Sequence, residues 1–420
     1  MHKRYLSWTI LVGLLAILAS QFFARPEWRA LLSTSYWSNL GRYGQVMRYV
    51  ESEYVDGDEV DFKDFTDVAL RQAVQSLDKY SDYMPPRDYE NFNMASEQTY
   101  VGVGIEVGEF AGRISISEVF DGGSAQRSGL LAGDAIIEVD GEGFEDPSLY
   151  EVTERIRGEE GTVVRLGIER PKREDLLSFE MERRSISLSS VANAEIIADG
   201  IGYLRFRQFT ENSAQELAEA IQDLRSDGME GLVLDLRDNP GGRLDSALQI
   251  AEMFLETGDR LLTVQSRRRV MEVFEAGFSQ LRFRFPLAII INGNSASASE
   301  ILAGILRDHE RAILVGEQSF GKGSVQSIYS FRGDYGLKLT SARYLLPKGE
   351  AVHGVGVTPT IVIDQPTEQA FELRIQKHHL RFMTPEEFET SFGFPPRVDS
   401  QLEAGMQALR EQLSTKISRL

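Results

Sequence analysis

The chain of 420 residues has no cysteine, which excludes disulfides, thiol nucleophiles and sulfur-ligated metal centres. Histidine is almost as scarce: His2, His309, His353, His378 and His379 are the whole set. None of them stands at the spacing of a metal-binding helix, so no metal and no other cofactor is expected. Positive charge is also short, with 45 lysines and arginines against 64 acidic residues and a net charge of −19. A chain that repels phosphate backbones so strongly is not expected to bind nucleic acid. What is present is ordinary globular material, 42% hydrophobic and 26% charged, long enough for roughly two to three domains.

The first residues carry an address. His2-Lys3-Arg4 is basic, and residues 5–24 then run without a charge, about the length that spans a bilayer. A cleavage site wants small residues at −3 and −1. Ile17 and Phe22 occupy the −3 positions of the two alanine candidates, so residues 1–24 read as an uncleaved signal anchor rather than a cleaved signal peptide. The body is then expected outside the cytoplasm, in a bacterium in the periplasm at the inner membrane.

Residues 25–97 read as a linker followed by a helical subdomain, with Phe65, Val68, Ala69, Ala73, Val74 and Leu77 at helical spacing and Pro85-Pro86 as its end. Residues 98–185 are β-rich. Their "GLLAGDAIIEVDG" stretch, preceded by the glycine-rich turn "YVGVGI", resembles a PDZ domain. That resemblance implies capture of a peptide C-terminus by backbone amides at Val101, Gly102, Val103, Gly104 and Ile105, with the next strand pairing to the peptide. Residues 186–364 alternate strands and helices, the pattern of an α/β domain whose functional residues lie at strand ends. The segment 365–420 is polar, with a hinge at Pro395-Pro396 and a helix carrying Leu402, Met406, Leu409 and Leu413 on one face. The fold expected is therefore multi-domain α/β: a catalytic domain, a PDZ domain, an N-terminal helical subdomain and a membrane anchor.

Two apparent motifs lead nowhere. "GEQSFGKG" nearly spells a phosphate-binding loop, but Gly323 stands where the magnesium-binding hydroxyl belongs, and a strand pattern follows instead of a helix. A Ser–His–Asp triad would need His309, which sits in a charged helix end, or His353, which no spacing ties to a serine. More informative is "AIIINGNSASASEIL", an apolar strand emptying through Asn-Gly-Asn into a helix start. Ser297, with Glu300 three residues on, reads as a helix cap; the same corner also suits an exposed nucleophile beside free amides. Lys322, between two glycines at another strand end, reads as a solvated loop lysine or as a general base whose pKa burial lowers.

The motifs "LDLRDNPGG", "NSASASEILAGIL", "ILVGEQSFGKGSVQ", "LTSARYLLPKG" and "HGVGVTP" together resemble the carboxyl-terminal processing (tail-specific) proteases, Ser–Lys peptidases with a PDZ domain. The likeness runs from about residue 43 to 362. It implies Ser297 as nucleophile, Lys322 as general base, Gln326 as the residue that orients the lysine, and amides of Gly242 and Ala298 as oxyanion donors, with Gly241 not separable from Gly242. Two departures stand out: Asp238 where asparagine is frequent, and Thr360 in place of the aspartate after "GVTP". Neither falls on a catalytic position. The resemblance further implies protein substrates held by their C-termini, homo-oligomers and a helical-repeat adaptor lipoprotein. The competing reading is a non-catalytic PDZ scaffold or ligand-binding member of the same fold; that reading gives no reason for serine, lysine and glutamine to occur together.

Overall fold

A computed structural model describes residues 33–417 apart from breaks at 97–99, 111, 121, 146, 172, 174, 187–188, 268–270, 332 and 381–382. The expected anchor, residues 1–24, lies outside the described residues; among those described, no helix is long and apolar enough to cross a membrane. The chain divides into two compact units, one ending at Leu77 and the other running from Asp78 to the C-terminus.

The smaller unit contains helices Thr34–Glu53 and Phe62–Gln75. Asp61 starts the second by accepting the Lys63 and Asp64 amides at 2.8 and 3.3 Å, as a capping carboxylate does. Helix Thr34–Glu53 buries none of its residues and leaves Tyr36, Trp37, Leu40, Val46 and Tyr49 exposed.

In the larger unit, an antiparallel sheet runs in the order Ile105–Phe110, Arg113–Val119, Ala135–Val139, Val163–Glu169, Leu177–Glu182. Alternation builds its core: Val164, Leu166 and Ile168 are fully buried while Val163 and Arg165 face solvent. Ile105–Phe110 is the edge strand, directly after the glycine-rich turn. Gly104 must be glycine there, because φ is +87° and a Cβ would come within 3.0 Å of the Gly123 Cα.

The site is carried by a six-stranded sheet in the order Val191–Ala198, Ile201–Phe206, Gly231–Asp235, Leu287–Ile291, Ile313–Gly316, Ile361–Val362. Its first pair is antiparallel and the rest are parallel. The parallel strands read as unbroken apolar runs because both faces are covered. Leu232, Leu234, Ile289 and Ile291 pack beneath helices Ser213–Ser226, Leu244–Glu252 and Ala298–Asp308. Val233, Ala288 and Ile290 meet Met406 and Leu409 of the C-terminal helix Ser400–Ile417 on the opposite face.

A second sheet joins Asp82–Met84, Tyr335–Leu345, Arg260–Ser266 and Met271–Glu275, with Ser324–Phe331 pairing to Tyr335–Leu345. Helices Thr367–His379 and Pro385–Phe392 bury Phe371, Ile375 and Phe388 together with Phe110 of the edge strand, whose ring stacks on Phe371 at 4.7 Å.

Candidate active site

Three loops leave the carboxyl ends of the neighbouring parallel strands Gly231–Asp235, Leu287–Ile291 and Ile313–Gly316. This is where an open α/β sheet gathers functional groups. The middle loop ends at Ser297, half-buried at the start of helix Ala298–Asp308, with φ 57° and ψ −115°. A non-glycine residue in such a conformation costs about 1–3 kcal/mol, so the surroundings must impose it. They do so on both sides. Ser295 Oγ donates to the Leu236 carbonyl at 2.8 Å, and Ser299 Oγ donates to the Asn239 carbonyl at 2.9 Å. The Ala296 amide donates to the same Asn239 carbonyl at 3.0 Å. Both flanking serines are therefore committed to holding the corner.

The first loop supplies the opposite wall. Asn239 is fully buried; its Nδ2 donates to the Phe206 carbonyl at 2.8 Å and its Oδ1 accepts the Gly241 amide at 2.9 Å. Gly241 has φ +97°, and a Cβ there would lie 2.8 Å from both the Ala298 nitrogen and the Ser297 Cβ. Only glycine allows that approach. Gly242, at φ +138°, is pressed equally hard against the Phe209 carbonyl. The Gly241 amide is thus already committed to Asn239.

The third loop carries Lys322, and one carboxylate fastens it to the serine. Glu300 is fully buried. Its Oε2 accepts the Ser297 and Lys322 amides, each at 2.8 Å. Its Oε1 accepts the Gly321 amide at 2.6 Å and the Ser319 hydroxyl at 2.5 Å. Serine and lysine are thus registered through their backbones by the same side chain. No hydrogen bond joins Ser297 Oγ to Lys322 Nζ among the described residues. The Lys322 ammonium stands 5.6 Å from the centre of the Tyr80 ring. Burial pushes its pKa below the usual lysine value, the Lys338 charge adds to this, and Glu300 opposes it.

Gln326 directs its amide to Ser324 Oγ at 3.0 Å and Thr340 Oγ1 at 3.4 Å, not to the lysine. Thr340 in turn donates to Asp78 at 3.2 Å. Asp78 also accepts the Tyr80 and Ser81 amides at 2.8 and 2.9 Å, which fixes the turn that lays Tyr80 beside Lys322. His353 lies on the same side: its backbone nitrogen abuts Gly323 and its ring is 6.0 Å from that of Tyr80. Sequence reasoning did not single out Asn239, Tyr80 or the second role of Glu300. Glu300 stood at a capping offset, and Tyr80 sits in a stretch that carries no recognisable chemistry.

The profile of peptidase family S41 matches residues 200–363, and that of the PDZ domain matches residues 91–169. The chain is 34% identical over 393 residues to a carboxy-terminal-processing protease of Bartonella bacilliformis, covering 90% of each. It is 35% identical over 307 residues to a carboxyl-terminal-processing protease of Synechocystis, covering 72% of this chain and 71% of that one. Among solved structures it resembles a photosystem II D1 C-terminal processing protease, with a TM-score of 0.53 and 26% identity over 79% of this chain and 90% of that one.

Proposed function

The chain belongs to peptidase family S41 and is a serine-type carboxy-terminal processing protease, and from that premise we propose that Ser297 is the nucleophile and Lys322 its base. The observation that carries the assignment is the shared Glu300 carboxylate, which ties the amides of both residues at a strained strand end. In the reaction, neutral Lys322 takes the Ser297 proton as Oγ attacks the peptide carbonyl. The Gly242 and Ala298 amides receive the oxyanion, and the protonated lysine hands its proton to the leaving amine. Water, deprotonated by the same lysine, then releases the acyl group. Gln326 belongs to the network that positions the lysine loop, acting through Ser324 and Thr340.

The rate should carry the signature of that base. Burial lowers the Lys322 pKa from its usual 10.5, and only the deprotonated amine accepts a proton. The reactive fraction therefore grows as pH rises toward the lowered pKa and levels off above it. A kcat/KM profile measured from acid to alkaline pH should climb through neutrality; a maximum in acid with decline above neutrality contradicts a lysine base.

Substrates are selected by their C-termini. The free edge of strand Ile105–Phe110 suits pairing with an extended peptide, and the turn at Val101, Gly102, Val103, Gly104 and Ile105 suits its carboxylate. Charge pairs connect this unit to the catalytic loops. Arg374 donates to Glu106 at 3.2 Å and lies 3.6 Å from Asp238, and Arg205 and Arg207 both engage Glu118. Occupation of the edge strand can thereby bear on the loop that runs from Asp238 to Gly241 and Gly242. Amidating a substrate's C-terminus removes the charge the turn binds, so amidated peptides should bind more weakly and be cut several-fold more slowly. Equal binding and cleavage of acid and amide would leave the PDZ unit as a clamp without tail recognition.

The same reading places the body in the periplasm, held at the inner membrane by residues 1–24. The exposed apolar face of helix Thr34–Glu53 suits a second copy of the chain, and a helical-repeat adaptor lipoprotein is the further partner.

A further inference from the structure

Five buried side-chain polar atoms lack a hydrogen-bond partner among the described residues, and they fall in two places. Tyr80 Oη and His353 Nδ1 belong to residues beside the lysine loop. The other three, Ser117 Oγ, Arg207 Nε and Gln365 Nε2, all belong to residues lining one cavity of about 650 Å³. It is walled by strands Arg113–Val119 and Ile201–Phe206 and helix Thr367–His379. Buried polar groups without partners are rare enough that three around one cavity require an explanation.

The charges around the cavity narrow what would satisfy them. Its arginines are matched: Arg205 and Arg207 by Glu118, Arg237 by Asp235 and Asp399, Arg374 by Glu106 and Asp238. Lys377 is not. Its ammonium rests 3.8 Å from the centre of the Tyr203 ring and has no carboxylate partner among the described residues. Two N–H groups that only donate, a hydroxyl that can donate and an ammonium with no paired carboxylate among the described residues are complementary to a negatively charged acceptor. The lining carboxylates Glu118, Glu195, Asp235, Asp238 and Asp399 equal its cations in number, so a dianion such as phosphate is disfavoured against a monoanion. The remaining lining includes Ile197, Leu373 and Leu402, apolar surface suited to the body of a ligand, and the volume lies within the range of small-molecule sites.

We propose that this cavity binds a monocarboxylate with an apolar body, its charge met by Lys377 and its oxygens by Arg207, Gln365 and Ser117. The assignment does not depend on the roles of Ser297 or Lys322. Such a carboxylate can be an alkyl acid or the end of a peptide chain. Burial lowers the Lys377 pKa to about 8, with Asp235 and Glu195 raising it and Arg205 and Arg237 lowering it; His378 adjoins it and Tyr203 lies beneath it. Affinity is therefore full while the amine is protonated and declines as pH rises through that value.

Calorimetric titration of the full chain with N-acetyl-leucine and with octanoate tests the site. Saturable binding is expected. It should weaken about tenfold or more in Lys377→Met and several-fold in Gln365→Leu, and fall between about pH 7 and pH 9 in the parent but not in Lys377→Met. N-acetyl-leucine binding more tightly identifies a chain end; octanoate binding more tightly identifies an alkyl acid. Absence of binding by both acids, equal binding of N-acetyl-leucinamide, or affinity unchanged in both variants overturns the proposal. Neither substitution touches the edge strand of the PDZ unit, so carboxylate capture there would survive both and count against this cavity.

Discussion

Lys322→Ala should reduce peptide cleavage by about 10⁴-fold or more while leaving the fold intact, and Ser297→Ala should do the same. Lys322 is half-buried and fastened through its backbone, not its side chain, to Glu300, so truncating it removes the amine without cutting the loop's anchor. What disappears is the group that makes the serine nucleophilic and protonates the leaving amine. Because the two residues act as a unit, the double variant should be scarcely worse than either single one. The check is kcat on a peptide with a free C-terminus, alongside circular dichroism to establish folding. Substantial turnover by folded Lys322→Ala protein would pass the base's role to His353, whose buried Nδ1 has no partner among the described residues.

Glu300→Ala is the second large effect, and it differs in kind. The carboxylate is fully buried and accepts from the Ser297, Gly321 and Lys322 amides and from the Ser319 hydroxyl. Deleting it strands four donors, of which those of Ser319 and Gly321 are buried and cost about 1–3 kcal/mol each unless water enters. The lysine loop and the serine corner also lose the object that sets their separation. A displacement of about 1 Å between reacting groups can cost about 10²-fold in rate. Glu300→Ala should therefore lower both kcat and the unfolding midpoint, whereas Lys322→Ala lowers kcat alone. Glutamine should restore part of the stability, since its carbonyl oxygen replaces one acceptor, but its NH₂ would face donors and leave the geometry wrong. A Glu300→Ala protein with parental kcat would show that the pair is positioned without the shared carboxylate.

Much of this arrangement was legible in the chain itself. The run "AIIINGNSASASEIL" announces a strand, a tight turn and a helix start, and the alternation of strands and helices from residue 201 onward implies a sheet with its loops gathered at one end. What could not be read are the consequences of the third dimension. Glu300 stands at a capping offset from Ser297, and nothing local reveals that residues 319–322 fold back onto its carboxylate. Tyr80 reaches the site only because Asp82–Met84 pairs with residues 336–338, far along the chain. Gly241 and Gly242 are equivalent as letters; a hydrogen bond to Asn239 separates them. The direction of the Gln326 amide, toward Ser324 and Thr340, is a rotamer choice set by a neighbouring strand. Patterns of hydrophobicity and glycine locate loops, but the contacts between loops depend on packing that no single stretch encodes.

The central claim, that Ser297 is a nucleophile activated by Lys322, is tested most directly by covalent labelling with a fluorophosphonate followed by peptide mapping. The probe reacts with an activated serine and needs neither a known substrate nor an adaptor. Labelling should fall on Ser297, speed up as pH rises through neutrality, slow by orders of magnitude in folded Lys322→Ala protein, and vanish in Ser297→Ala. Absence of labelling at Ser297 in folded parent protein across that pH range, or labelling at a different serine, would contradict the account.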